Sequence, residues 1–205
     1  MIKLEGAWKS YGSVSIVEGM ELTVEEGKPL CILGRSGCGK STLLKLLALM
    51  DRLDRGTLSI DGSDVSKMND AEVDKLRRDK IAYTFQEPLL IPYVTALENV
   101  TMVTGVSGEK AAEVLGKLGL ADRLNYRPQK LSGGERKRVD VARAVLRAKP
   151  IMVADEPLSN LDPKTSSIVM GMLNSHAERG GMLVYSAVEP AEAESAAQVV
   201  KMERK

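Results

Sequence analysis

The sequence lacks an excess of charge of either sign, since 29 Lys and Arg residues are balanced by 28 Asp and Glu residues in a chain of 205. A formal net charge of +1 creates no global positive field, so nucleic acid is not an expected partner. Also absent is an apolar run of roughly 18 residues, the length that a membrane-spanning helix needs. The opening MIKLEGAWKS has no apolar core of the signal-peptide type. We therefore expect a soluble chain, which could still dock on a membrane protein.

Cysteine and histidine are scarce. Cys31 lies in an apolar run and Cys38 in a glycine-rich segment, and because neither setting indicates a disulfide framework, we expect a reducing cytoplasm. The single histidine, His176, is expected at the surface of a helix. The length suits one domain over residues 1–205, because two ordinary enzyme domains would need a longer chain.

Short β-rich runs alternate with helical patterns, among them PLCIL, TLSIDG, IMVAD and MLVYS. This order predicts an α/β fold in which helices connect parallel strands. No helix separates the runs at residues 2–4 and 16–24, so they are expected to form an antiparallel β edge on the parallel sheet. Only helical patterns occur in residues 87–149, which predicts an inserted helical subdomain.

A phosphate-binding pattern follows PLCIL, because residues 34–42 read GRSGCGKST and match G-x-x-x-x-G-K-[ST]. Glycines let backbone N–H groups point inward at phosphate, and the following helix adds its positive N-terminal end. In this pattern Lys40 reaches the β- and γ-phosphates and Ser41 offers its hydroxyl to Mg²⁺. The other nucleotide-binding candidates are Gly34, Ser36, Gly37, Cys38, Gly39 and Thr42. An ordinary glycine turn is the alternative, but a strand before the loop and an apolar helix after it favour a P-loop.

Two neighbouring acids, Asp155 and Glu156, end the apolar run IMVA. Side chains alternate along a strand, so the two carboxylates can serve different tasks at the end of the sheet where ligands bind. Asp155 is the candidate for holding Mg²⁺, and Glu156 is the candidate for orienting and activating the attacking water. A solvent-exposed strand end is the alternative. Together with a P-loop, the pair predicts nucleotide hydrolysis.

A second anion site is predicted where Ser132, Gly133 and Gly134 open a helix, because backbone donors, a hydroxyl and a positive dipole end come together there. The alternative is a local helix cap in which Ser132 and Glu135 form a capping box. The segment LSGGERKRVDVARA, residues 131–144, resembles the signature of ATP-binding-cassette (ABC) ATPases. That resemblance implies that it caps the γ-phosphate held by the P-loop of a second ATPase subunit.

The resemblance extends over nearly the whole chain, with its motifs in family order. Tyr11 looks like the aromatic residue that stacks on adenine, and a buried tyrosine is the alternative. Gln86 looks like the glutamine that links the Mg²⁺ site to the membrane partner, against an ordinary polar strand end. SNLD, residues 159–162, looks like a loop at the dimer interface, against a plain helix cap before Pro163.

The family implies a function: an ATPase that binds ATP with Mg²⁺, dimerises around two nucleotides and drives an integral membrane protein subunit. Such a subunit lies in the cytoplasm, peripheral on the inner face of the cell membrane. TALENV, RPQKLSGGERKRV and the compact length look most like the lipoprotein-release, macrolide-export and cell-division branch. The stretch EPLLIPYV, residues 87–94, is a candidate docking surface or else subdomain core. A soluble ABC ATPase for metal-cluster assembly and a nonhydrolysing nucleotide-dependent module are the rival functions.

The sequence also departs from the family pattern. Leu158, Lys137 and Asp140 stand where a small residue, a glutamine and a small apolar residue are usual, and these changes are expected to be tolerated. LVYSAVEP falls where the family has a Thr-His-Asp-like switch, and aligning Ser186 with the threonine puts Ala187 at the histidine. We therefore expect slow ATP turnover.

Overall fold

The computed structural model describes residues 1–203. Within them the strands are β1 (Ile2–Tyr11), β2 (Val14–Val24), β3 (Leu30–Leu33), β4 (Arg55–Ile60), β5 (Ser63–Asp64), β6 (Ile81–Thr84), β7 (Ile151–Ala154), β8 (Met182–Ala187) and β9 (Gln198–Lys201). The α-helices are α1 (Lys40–Leu47), α2 (Asp70–Lys80), α3 (Ala96–Thr104), α4 (Gly108–Lys117), α5 (Gly133–Leu146) and α6 (Pro163–Glu178).

A parallel five-stranded sheet in the order β6-β7-β8-β3-β9 forms the centre of the molecule. Its middle strands are apolar on both faces because helices cover both. Leucines of α1 pack on one face, and α5 and α6 pack on the other. The predicted α/β fold with a P-loop core is confirmed, and all the strands of this sheet end at the same edge.

The antiparallel strands form a sheet of their own in the order β2-β1-β4-β5, rather than an edge of the parallel sheet. The run TLSIDG, expected among the parallel strands, contributes β4, which pairs antiparallel with β1 through Ile2↔Ile60 and Leu4↔Leu58. The apolar side of this sheet packs on α1, in the core that α1 shares with the parallel sheet. Strand propensity alone does not say which neighbour a strand pairs with, and so this arrangement was not predicted.

Between β6 and β7 the described chain is helical, with α3, α4 and α5 joined by turns and short 3₁₀ helices. Helices α3 and α4 pack on α5, and buried side chains of α5 share a core with Ala82, Met152 and Leu183 of the parallel sheet. The last helix of residues 87–149 thus also belongs to the layer that covers the sheet. None of the helices in residues 1–203 combines the length and apolar character needed to cross a membrane.

Candidate active site

The carboxyl ends of β3, β6, β7 and β8 bring the predicted catalytic side chains together. Lys40 begins α1, directly after the loop that follows β3, and only 3% of its surface is exposed. Its ammonium Nζ donates to the carbonyl oxygens of Gly34 at 2.8 Å and Arg35 at 3.2 Å, and lies 3.1 Å from Glu156 Oε1. Gln86 Nε2 donates to the other oxygen, Glu156 Oε2, at 3.2 Å.

The P-loop takes a shape that needs its glycines. Gly37 and Gly39 have φ values of 79° and 103°, in the left-handed region that favours glycine. A Cβ on Gly39 would lie 2.6 Å from Ile16 Cγ2, and one on Gly34 would collide with the carbonyl oxygen of Met202. Ser36 and Gly37 are exposed at the loop tip, Cys38 is buried beneath it, and Ser41 and Thr42 lie half-buried in the first turn of α1. The loop therefore leaves its tip and the N-terminus of α1 open to a phosphate chain.

Asp155 and Glu156 follow β7 and face different neighbours, as the alternation argument predicted. Glu156 has φ of 44°, an uncommon value for a residue other than glycine. Asp155 is 2% exposed, and its Oδ1 accepts a 2.7 Å hydrogen bond from the hydroxyl of Ser186. Its Oδ2 is 3.4 Å from the hydroxyl of Tyr83, whose pKa is raised by burial and by this carboxylate. The alternative of a solvent-exposed strand end is therefore wrong.

Ser186 links the two acids. Its Oγ accepts the backbone N–H of Glu156 at 2.8 Å while its hydroxyl proton goes to Asp155. Both functions of the hydroxyl are thus used in positioning the carboxylates. Ala187, the next residue, is 1% exposed, and its carbonyl accepts the N–H of Gly34 at 3.2 Å.

His176 lies away from this cluster. It is half-buried near the end of α6, where its ring packs against Gly181, and its pKa is lowered by burial. The expectation of a surface histidine is wrong, since the turn from α6 to β8 covers part of the ring. The position gives His176 no contact with the P-loop or the carboxylate pair among the described residues.

Tyr11 is 48% exposed, so the alternative of a buried tyrosine is wrong. Its hydroxyl donates a 2.5 Å hydrogen bond to Asp51 Oδ2, which raises the pKa of the phenol. The ammonium of Lys9 lies 5.2 Å from the ring centroid. Thr42, in the first turn of α1, slightly opposes that rise in the pKa of the phenol. An accessible aromatic face held next to the P-loop suits an adenine ring.

The three signature residues are placed apart from this cluster. Ser132 caps α5 by accepting the N–H of Glu135 at 3.2 Å, and Glu135 in turn accepts the N–H of Ser132 at 2.7 Å. The local capping box is thus present. Gly133 and Gly134 form the first turn of α5, and a Cβ on Gly134 would lie 3.1 Å from Leu161 Cδ2. No hydrogen bond or ion pair within residues 1–203 joins these three residues to the P-loop.

The donor set fits magnesium nucleotide. The hydroxyl of Ser41, the carboxylate of Asp155 and the amide oxygen of Gln86 are hard oxygen donors, the kind that Mg²⁺ prefers. The carboxylate of Asp155 is buried, and within residues 1–203 it accepts hydrogen bonds from two neutral hydroxyls, with no ion pair to a protein cation. Lys40 and the open loop supply the complementary charge and N–H groups for phosphate.

The sequence model of the ABC transporter family matches residues 17–159. The chain belongs to this family, as its signature segment predicted, and it is an ATP-binding ATPase subunit of that family. The chain is 44% identical over 169 residues to the lipoprotein-releasing system ATP-binding protein LolD of Bacteroides thetaiotaomicron, covering 79% of this chain and 78% of that protein. It is 36% identical to the macrolide export ATP-binding/permease protein MacB of Nitrobacter winogradskyi, covering 99% of this chain and 33% of that protein. These relatives confirm the predicted branch.

A solved structure shares the fold closely. It is a dimeric post-hydrolysis state of an ATP-binding cassette bound to ADP and Pi, with a TM-score of 0.91 and 33% identity. The match covers 99% of this chain and 94% of that one. The predicted architecture is confirmed along nearly the full length of the chain.

The sequence predicted the P-loop and the two carboxylates, but it assigned no role to three residues near the site: Ser186, Lys137 and Asp140. Ser186 was recognised only as the counterpart of a family threonine, and its contact with Asp155 depends on the pairing of β7 with β8, for which the sequence holds no local signal. Lys137 and Asp140 were treated as tolerated departures, yet both are buried and contact the residues next to Gln86. A charged residue on the apolar face of a helix was the available signal.

Proposed function

We propose that the chain binds MgATP between its own P-loop and the signature segment of a second ATPase subunit, and that it hydrolyses the nucleotide. Closure of this dimer around MgATP then drives a conformational change in an integral membrane protein. One observation carries this proposal. The side chains of Lys40 and Gln86 both lie within 3.2 Å of the carboxylate of Glu156, while no hydrogen bond within residues 1–203 joins Ser132, Gly133 or Gly134 to the P-loop. The chain thus presents two separate halves of a nucleotide site.

In the proposed mechanism Lys40 exchanges its contacts with Gly34, Arg35 and Glu156 for the β- and γ-phosphate oxygens. The carboxylate of Glu156, released from the ammonium, then orients the attacking water and accepts its proton. Asp155, Ser41 and Gln86 would hold Mg²⁺, which neutralises negative charge on the phosphates when bound. The hydroxyl of Ser186 holds the carboxylate of Asp155 and the backbone N–H of Glu156 in position during the reaction.

The proposed second subunit is an identical chain or a related ATPase. Residues 160 and 161 pack beside Gly134, which supports the assignment of residues 159–162 to the same interface as the signature. The similar cassette was solved as a dimer bound to ADP and Pi, which supports a dimeric arrangement here.

The proposed membrane partner docks on residues 87–94. Leu89 and Tyr93 in this segment are 61% and 79% exposed, although a soluble fold would normally bury large apolar side chains. The segment follows Gln86 directly, and Leu89 lies only three positions from it, so a force applied at Leu89 would reach the proposed magnesium ligand through a short stretch of backbone. We place the protein in the cytoplasm, on the inner face of the cell membrane, and what supports the membrane association is that its relative MacB is named as an ATP-binding and permease protein.

Glu156→Gln tests the proposed function. The amide cannot accept the proton from water, so hydrolysis should fall roughly 10²–10⁴-fold while MgATP binding is retained. The variant should therefore sediment as a dimer with MgATP and as a monomer with EDTA. Glu178→Gln, which changes an exposed carboxylate at the end of α6, is the control and should behave like the parent. A Glu156→Gln protein that binds MgATP but stays monomeric at saturating nucleotide would contradict the shared site.

A further inference from the structure

Helix α5 carries two charged residues on the face that it buries. Lys137 and Asp140 are 2% and 3% exposed, respectively, and they stand one turn apart on the helix that begins after Ser132. Lysine and aspartate are almost never buried to this extent unless they have partners. Packing alone would be served better by apolar side chains.

Outside helix α5, the hydrogen-bond partners that the described residues offer to Lys137 and Asp140 are in the segment that follows β6. Lys137 Nζ donates to the carbonyl oxygens of Phe85 and Gln86 at 3.1 and 2.5 Å. Asp140 Oδ2 accepts the N–H of Phe85 at 3.0 Å. One turn further along α5, Arg143 Nη1 donates to the carbonyl oxygen of Leu89 at 2.7 Å. Three side chains at i, i+3 and i+6 thus hold the backbone on both sides of Gln86.

We propose that Lys137 is a positioning residue that holds Gln86 for magnesium, with Asp140 and Arg143 completing a clamp from α5 onto residues 85–89. The proposal rests on the proposed role of Gln86 as a magnesium ligand. A backbone fixed at its own carbonyl leaves the Gln86 side chain fewer orientations, and a preorganised ligand binds its cation more tightly.

The charges around Lys137 are consistent with this role. Burial lowers the pKa of Lys137, while the carboxylates of Asp140, Asp155 and Glu156 favour its charged form. Burial also raises the pKa of Asp140 to about 6, and the cations Arg143 and Lys137 oppose that shift. The clamp therefore places the buried ammonium of Lys137 next to the backbone of Gln86, and the carboxylate of Asp140 on the same face of α5 balances its charge.

The clamp also connects the two halves of the nucleotide site. Ser132 caps the N-terminus of α5, and Lys137 contacts Gln86 from the second turn of the same helix. Because a helix transmits displacement as a rigid element, a contact made at Ser132 by the second subunit's nucleotide would be felt at Gln86. Helix α5 thus couples Gln86 to the nucleotide site that contains Ser132, and this coupling does not require the membrane partner.

The test compares Lys137→Met, Lys137→Gln, Gln86→Ala and the double variant Gln86→Ala/Lys137→Met in the full chain. Methionine keeps an unbranched apolar stem but donates no hydrogen bond, whereas glutamine keeps two N–H donors. Two readouts are measured: affinity for a fluorescent ATP analogue in EDTA and at increasing MgCl₂, and the magnesium dependence of ATP hydrolysis.

Lys137→Met is expected to raise the half-saturating magnesium concentration about tenfold and to leave the affinity in EDTA within about twofold of the parent, since the lost hydrogen bonds are charge-assisted. Lys137→Gln is expected to recover most of that shift. The double variant should need no more magnesium than Gln86→Ala alone, because Lys137 acts through Gln86.

The proposal is overturned if Lys137→Met keeps the magnesium dependence of the parent while Gln86→Ala shifts it, or if the two shifts multiply in the double variant. A parental magnesium dependence in Gln86→Ala would instead reject Gln86 as a ligand, and with it the clamp's purpose. If Lys137→Met does not fold, Arg143→Ala takes its place. Arg143→Ala releases Leu89 and removes the 3.5 Å contact to Asp140 Oδ1 while keeping Lys137, and it should shift the magnesium dependence about twofold in the same direction. No shift would count against the clamp.

Discussion

At the scale of single residues, Lys40 is held by two carbonyl oxygens and one carboxylate, all of which phosphate oxygens can replace. Lys40→Ala removes the side-chain cation that the P-loop pattern directs at the β- and γ-phosphates, so nucleotide binding should be lost. A labelled-ATP binding assay measures this. Lys45→Ala changes an exposed lysine on the same helix α1 and should bind ATP as the parent does. A folded Lys40→Ala protein with parental affinity would reject the P-loop assignment.

Ala187 stands where the family resemblance predicts a histidine that holds the γ-phosphate and the attacking water in line. Ser186 cannot take over that role, because its hydroxyl is committed to Asp155 and the backbone of Glu156. We expect slow hydrolysis by the parent and a rise in kcat of about tenfold or more in Ala187→His, with little change in KM, because the added contact acts mainly in the transition state.

The paired ATPase measurement on the parent and Ala187→His needs a control for bulk, since Ala187 is 1% exposed. Ala187→Leu adds comparable volume without ring nitrogens and should not raise kcat. Rapid hydrolysis by the parent, with no gain in Ala187→His at matched folding and nucleotide affinity, would show that another residue fills the switch role.

The residues that sequence reasoning placed well are those whose role depends on short spacing. Gly34, Lys40 and Ser41 act within one loop, so the pattern GRSGCGKST carries their geometry. The bridge from Ser186 to Asp155 depends on the parallel pairing of β7 with β8, and residues 31 positions apart give no local signal for it. A charge on the apolar face of α5 could have marked Lys137 as unusual, but its partners Phe85 and Gln86 lie 52 and 51 positions away, and no local pattern indicates them.

At the scale of elements, the helices and parallel strands followed from apolar periodicity, but the partner of β4 did not. A six-residue strand with alternating burial can join either sheet, and its choice is decided by β1 and by the short connection from α1. A functional division between the helical residues 87–149 and the rest of the chain stays a prediction, since α5 packs on the sheet as well as on α3 and α4.

Asn99, a buried residue of α3, forms hydrogen bonds with the backbone of the proposed docking segment, residues 87–94. Asn99 is 0% exposed, its Oδ1 accepts the N–H of Ile91 at 2.8 Å, and its Nδ2 donates to the carbonyls of Ile91 and Thr95 at 3.1 and 3.0 Å. Asn99→Ala leaves these buried groups unpaired and should lower the free energy of unfolding by about 1–3 kcal/mol.

Denaturant unfolding measures the effect of Asn99→Ala. Asn125→Ala, at an exposed position, should change stability by less than about 0.5 kcal/mol. Equal stabilities for the two variants would show that residues 91–95 are held by other contacts.

At the scale of the whole molecule, we propose that the chain carries two separate halves of a nucleotide site, each of which is completed by a second subunit. The P-loop and the carboxylate pair lie at the end of the parallel sheet, and the signature lies at the start of α5 with residues 160 and 161 beside it. In the proposed head-to-tail dimer, each P-loop would meet the signature of the other chain, and both nucleotides would be buried between the two subunits. The central claim is that neither half hydrolyses ATP without the other.

Subunit complementation tests that claim most directly, using Lys40→Ala with a broken P-loop and Ser132→Arg with a broken signature. Each variant alone should be inactive, because each of its two sites contains one broken half. In an equimolar mixture, about half of the dimers should be mixed, and each mixed dimer holds one site whose P-loop and signature are both intact. We predict that the mixture recovers up to about a quarter of the parent's ATPase rate. Full activity in Ser132→Arg alone, or no recovery when the folded variants are mixed at concentrations that dimerise the parent, would contradict the shared site.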